Sequence, residues 1–190
     1  MDKHDKSAMQ EQEERAASVQ REEIFRGKTI AVFKDTYQFS SGRRASWDIV
    51  AHPGAVVIVP VTADHQLILV KQWRRAIQRT ILEFPAGTLE VGEEPLLCAQ
   101  RELREETGFQ ADQVIPMAQF YSAPGFCTEL LHLFLAVGLN PAPLDSDEDE
   151  AIDLVTVSAA QCREMISNHQ IQDAKTIAGF YFYEQWINNN

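Results

Sequence analysis

No stretch of this chain approaches the roughly 18 consecutive apolar residues of a membrane-spanning helix, so no membrane association is expected. Cysteine is scarce: Cys98, Cys127 and Cys162 are odd in number, far apart, and form no CxxC pair. That excludes a disulfide scaffold or a zinc knuckle and fits a reduced, cytoplasmic protein. The opening stretch, MDKHDKSAMQEQEERAASVQREE, lacks the apolar centre of a secretory signal. Positive charge is in deficit, with 17 Lys and Arg against 28 Asp and Glu, a net −11. A nucleic-acid surface needs the opposite, a basic patch, so no nucleic-acid partner is expected. An anionic small ligand is still allowed, because a bound cation or a few placed arginines invert the local field. There is no internal repeat, and the sole biased tract is the acidic run DSDEDE at 145–150.

What is present suffices for one sizeable domain, or for a domain with a small appendage: 190 residues, 45% of them hydrophobic. Residues 1–26 are polar and read as a frayed or helical lead-in. Residues 29–50 alternate and carry β-branched side chains around SSGRR, which predicts two strands and a turn. HPG at 52–54 is a break. AVVIVPV (55–61) and QLILVK (66–71) are continuous apolar runs typical of strands buried on both faces. ILEFPAG (81–87) reads as a short strand ending in a turn. Further strands are expected over 114–122, 130–139 and 153–158, and helices over AAQCREMISNH and DAKTIAGFYFYEQWI. Strands, helix, strands, helices is the order of an α+β fold whose sheet is covered by helices.

Between these lies GTLEVGEEPLLCAQRELREETGF, residues 87–109. From Glu94 to Thr107 the pattern is helical, with Leu96, Ala99 and Leu103 as the apolar stripe and Gly108 as the stop. Glu102, Glu105 and Glu106 then fall within roughly a 100° arc of one face. Like charges so close repel. Arg101 and Arg104 are present, but neither is expected to neutralise the whole cluster. Either the face is simply solvated, or the carboxylates converge on a hard divalent cation such as Mg²⁺ or Mn²⁺, whose charge removes the repulsion.

Gly87, five residues, Glu93, seven residues, then Arg101-Glu102-Leu103-x-Glu105-Glu106-x-Gly108-Phe109 resembles the complete signature of the Nudix hydrolases. With average residue usage, a chance match in a chain this long is well below about one in a million. The resemblance implies a Nudix-type α/β/α sandwich with a mixed sheet and an N-terminal β-strand extension. It implies a lead-in and strand region over 1–50, exchanged in a homodimer, and the hydrolase domain over 51–190. It also implies a pyrophosphohydrolase using two or three Mg²⁺ or Mn²⁺ ions. Glu102, Glu105, Glu106 and the carbonyl of Ala86 would hold metal. Arg101 and Glu93 would orient helix and loop, and the Gly87 turn would approach the pyrophosphate.

The likeness extends to the ADP-ribose pyrophosphatases through HPGAVVIVP, LVKQWRRAIQRTILEFPAGTLE, FYSAPGFCTELLHLFLA and DAKT. Pro124, fifteen residues after Phe109, stands where that subfamily carries a proline. Arg74 matches a phosphate-contacting arginine, a role suited to its planar fork, with Arg79 a weaker candidate. Glu129 matches a position near the terminal ribose. Glu150, in DEDEAIDLVTV, matches a loop glutamate that activates water; Glu148, Asp147 and the helix residue Glu105 are its rivals. Trp47 replaces an arginine common in relatives and resembles a tryptophan that stacks on adenine in some members; the other reading is a strand residue packed on the core or a dimer partner. The substrate implied is ADP-ribose or a related nucleoside diphosphate sugar such as GDP-mannose. A non-catalytic ADP-ribose sensor remains the alternative outside the enzyme class. His52, His132 and Cys127 are read as structural.

Overall fold

The computed structural model describes residues 5–144 and 151–189, which fold as two units. The first comprises Met1–His52 and Ala123–Thr128. Helix α1 (Lys6–Ala16) is capped by Asp5, whose carboxylate accepts the backbone N–H groups of Ser7 and Ala8. Strands β1 (Ser18–Arg26), β2 (Ala31–Gln38) and β3 (Arg44–Ala51) form an antiparallel three-stranded sheet in that order. The segment 123–128 joins this unit: Val50 donates to the carbonyl of Phe126 at 2.7 Å, and its own carbonyl accepts from Thr128 at 3.0 Å.

The strand at 18–26 corrects the expected helical or frayed lead-in. It shows no apolar alternation, and every residue along it is exposed. Its register on β2, from Ser18 opposite Gln38 to Arg26 opposite Ala31, comes from backbone pairing. A fork from Arg21 adds to it, with Nε and Nη2 at 2.7 and 2.6 Å from the two oxygens of buried Asp35. Arg21 holds the Asp35 carboxyl below its ordinary range.

The second unit comprises Pro53–Ser122 and Glu129–Asn190. Among the described residues its sheet has seven strands. Five run β10 (Ile152–Ser158), β5 (Gln66–Arg74), β4 (Ala55–Val61), β9 (Leu130–Pro141) and β8 (Phe109–Tyr121). Strand β6 (Arg79–Glu83) pairs with β5, and β7 (Ala86–Thr88) with β4. The sheet is mixed, because β4 and β9 run parallel and the other pairs antiparallel. All seven residues of β4 are buried, the outcome for a strand covered on both faces. Val56 and Ile58 face Cys98, Ala99 and Leu103 of α2 (Pro95–Thr107). Val57 and Val59 face the opposite core, with Cys162 of α3 (Ala159–Ser167) and Phe180 and Tyr183 of α4 (Ala174–Asn189). This is an α+β fold in an α/β/α layering.

Two local expectations change. Leu96 is 42% exposed, and the buried face of α2 is Cys98, Ala99, Leu103, Glu106 and Thr107. Cys98 packs inward as a small apolar side chain against Val56, Ile58 and Phe134, and its thiol donates to the carbonyl of Thr88 on β7. The segment 81–87 is also not one strand. It is the end of β6 and the start of β7, separated by Phe84 and Pro85, and the Pro85 carbonyl accepts from Ile58 at 2.8 Å. Among the described residues no helix is long and apolar enough to cross a membrane.

Candidate active site

Helix α2 begins with a proline in its first turn and ends at Gly108, whose φ of 74° is left-handed and whose N–H donates to the Arg104 carbonyl. Between these ends the helix lies against β7, so its acidic face meets a backbone rather than open water. Glu106, 8% exposed, accepts the N–H of Ala86 at 3.0 Å through Oε2. Glu102 lies over Gly87: a Cβ built there would stand 1.8 Å from Glu102 Cδ and 1.9 Å from Oε1. Glycine is required at that point by close approach, not by backbone angle.

Arg101 does more than the spacing suggested. Its Nε and Nη2 reach both oxygens of Glu93, at 2.9 and 3.0 Å. Its Nη1 reaches Glu102 Oε1 at 2.6 Å and Glu105 Oε2 at 2.8 Å. One guanidinium thus gathers three carboxylates and ties the loop before the helix to the helix itself. The pairing with Arg101 lowers the Glu93 carboxyl to about 2 and raises the arginine further still. Arg104 turns away and donates Nε to the Ala142 carbonyl. Burial pushes the Cys98 thiol up to about 12, so it is inert at neutral pH.

Among the described residues no three His, Cys, Asp or Glu side chains already converge as a cage for a metal ion. The chemistry of the donors nevertheless fits a hard divalent cation. Glu102 and Glu106, four residues apart on one face, both reach β7 and offer only oxygen. Glu105 is turned toward Arg101. A cation at Glu102 would compete with the Arg101 guanidinium for the same carboxylate.

Strand β7 is also the floor of a pocket of about 500 Å³, lined in part by Ala86, Gly87, Thr88, Arg74, Tyr121 and Glu129. Arg74 is held there by Glu83, with Nε 2.7 Å from Oε2. The Ser122 N–H donates to the Glu129 carbonyl at the pocket's edge. Arg79, opposite Arg74 in register, is exposed. Trp47 and Pro124 belong to the first unit. Trp47 sits on β3 with its ring edge-on to Tyr37, centroids 5.1 Å apart. Glu150, Glu148 and Asp147 lie outside the described residues. Glu83, Asp173 and Lys175, by contrast, received no role from the sequence, although the quoted segments ILEFPAG and DAKT contain them.

An acidic helix laid on a glycine strand, with Arg74 lining a pocket over the same strand, is an arrangement suited to a divalent cation and an anionic ligand. The chain belongs to the Nudix family and is a pyrophosphohydrolase: residues 51–180 match the NUDIX domain. It is 39% identical over 161 residues to an ADP-ribose pyrophosphatase of Bacillus subtilis, covering 84% of this chain and 87% of that one. It is 35% identical over 171 residues to a methanol dehydrogenase activator of Bacillus methanolicus, covering 88% and 91%. A crystal structure of an ADP compounds hydrolase superposes with a TM-score of 0.82 at 25% identity, covering 91% of this chain and 95% of that one.

Proposed function

We propose that the chain hydrolyses the pyrophosphate bond of ADP-ribose to AMP and ribose 5-phosphate, with Mg²⁺ or Mn²⁺ as cofactor in two or three sites. The carrying observation is that Glu102, Glu106 and the pocket with Arg74 all meet on β7. The name of the Bacillus subtilis relative supports the choice of substrate. Glu102, Glu105, Glu106 and the Ala86 carbonyl would hold the metal. When bound, a divalent ion screens the pyrophosphate charge and lowers the pKa of a water. The chain's own residues do the rest. Arg101 and Glu93 keep loop and helix in register. Gly87 leaves room for the phosphates, and Arg74 offers its fork to one of their oxygens. Glu129 faces the sugar end. Glu150 takes the proton of the attacking water, with Glu105 as the competing base.

The exposed strand β1, with Val19, Ile24 and Phe25 uncovered, supports a homodimer through the first unit, where Trp47 stacks on adenine and Pro124 shapes the loop. The three free cysteines support a cytoplasmic setting.

ADP-ribose and GDP-mannose compared side by side in Mg²⁺, with products separated by chromatography, test the reading. AMP and ribose 5-phosphate are expected. A kcat/KM for GDP-mannose about tenfold higher, roughly 1.4 kcal/mol of transition-state preference, overturns the substrate. Calorimetric binding of ADP-ribose without AMP release would make the chain a sensor instead.

A further inference from the structure

Glu83 is the most deeply buried carboxylate among the described residues, 2% exposed, at the end of β6. Each of its oxygens holds a different cation. Oε2 accepts from Arg74 Nε at 2.7 Å, and Oε1 from Lys175 Nζ at 2.6 Å. Lys175 also reaches Asp173 Oδ2 at 3.0 Å. That same oxygen accepts the backbone N–H and the hydroxyl of Thr176, at 2.9 and 2.6 Å. The Thr176 hydroxyl in turn accepts the N–H of Phe84 at 2.8 Å, so the ring of bonds closes on the residue next to Glu83. The carboxylate cannot swing without breaking the ring.

Two features argue that this arrangement serves more than the fold. A buried ion network is often no more stabilising than apolar packing of the same volume, so stability alone does not call for it. The cations also do not lie in the core: Arg74 and Lys175 line the pocket over β7, while Glu83 stands behind them. Arg74 is bonded through Nε alone, and among the described residues its Nη groups make no hydrogen bond. A guanidinium fixed by one edge keeps the other for an oxyanion. The charges of Arg74, Lys175, Glu83 and Asp173 cancel, so both cations are already in place before a substrate arrives, the condition for preorganised stabilisation. Three residues beyond Glu83, Ala86 receives Glu106, and Gly87 lies under Glu102. One short segment therefore sets the arginine at one end and the acidic helix at the other.

The geometry points to Glu83 as a positioning residue that, with Lys175, aims the Arg74 guanidinium at a phosphate oxygen of the nucleoside diphosphate; this rests on the pyrophosphatase reading above. Its substitution should mimic the loss of Arg74 and add little to it. The test is a double-mutant cycle in steady-state hydrolysis with Arg74→Ala, Glu83→Gln and the pair. Arg74→Ala should lower kcat/KM by about thirtyfold or more, and Glu83→Gln by about tenfold or more. Both should divide the loss between kcat and KM in the same way. The pair should lie within about threefold of Arg74→Ala alone. A purely structural Glu83 would instead lower the active fraction, leave KM alone and multiply with Arg74→Ala. If Glu83→Gln does not fold, Glu83→Asp keeps the charge, withdraws the carboxylate by one methylene, and takes its place in the same cycle. Multiplying losses, or Glu83 variants within about threefold of the parent, overturn the positioning role and leave the pyrophosphatase reading standing. An unsubstituted protein that releases no nucleoside monophosphate overturns that reading itself.

Discussion

Gly87→Ala adds one carbon at the point where the acidic helix meets β7. The new Cβ would stand 1.8, 1.9 and 2.4 Å from Cδ, Oε1 and Cγ of Glu102. Non-bonded carbons rest near 3.5–4 Å, so the carboxylate must retreat by roughly 1.5 Å or more. The atoms in the way are the tip of a flexible side chain, and β7 can keep its pairing with β4. The stability cost should therefore be about 1 kcal/mol, a Tm decrease of roughly 2–4 °C for a chain of this size. The functional cost should be far larger, because Glu102 leaves the place where it would hold metal. We expect kcat/KM to fall about a hundredfold, or 2.7 kcal/mol, and the half-saturating Mg²⁺ concentration to rise about tenfold. The assay is ADP-ribose hydrolysis over a Mg²⁺ titration, with thermal melting of the same samples. Activity within about threefold of the parent at every Mg²⁺ concentration would refute the argument that this carboxylate must lie over Gly87.

Glu106→Gln keeps an oxygen to accept the Ala86 N–H but loses the charge, so kcat should drop by more than about a hundredfold with an unchanged melting curve; a drop below about threefold contradicts the metal role. Glu150→Gln should lower kcat more than it raises KM, and a far worse lesion in Glu105→Gln would move the base to the helix. The acid limb of stability should carry the Glu93–Arg101 pair. The folded-state pKa of Glu93 is depressed from 4.5 to about 2, so its contribution is complete above about pH 5 and disappears as pH falls through 2. Partial exposure of Arg101 reduces that contribution to about 1–2 kcal/mol, and Glu93→Gln should flatten the parent's urea stability between pH 5 and pH 2 by that amount. Thr176→Val leaves the Phe84 N–H and the Asp173 carboxylate each short of a buried partner and should cost about 1–3 kcal/mol, read as a lower urea midpoint; an unchanged midpoint would show that the ring behind the pocket is not under load.

The sequence by itself determined what depends on neighbours along the chain. The carboxylates of Glu102 and Glu106 share a face because a helix turns by a fixed angle per residue, and Gly108 ends that helix because it tolerates a left-handed φ. The run Ala55–Val61 is buried on both faces because it offers no polar side to solvent. Only the tertiary structure decided the rest. Strand β1 carries no apolar period, and it is recruited by backbone pairing and by one arginine fork to Asp35. The signature pairs Arg101 with Glu93 alone, and only folding of the loop onto α2 adds Glu102 and Glu105 and makes it the hub of three carboxylates. Glu83 and Lys175 stand 92 residues apart and meet because the first turn of α4 is bonded to the segment that follows β6. A single charge has no periodicity from which a partner can be read. Its partner is fixed only when the packing of apolar faces brings distant segments together and burial makes an unpaired charge too costly to keep.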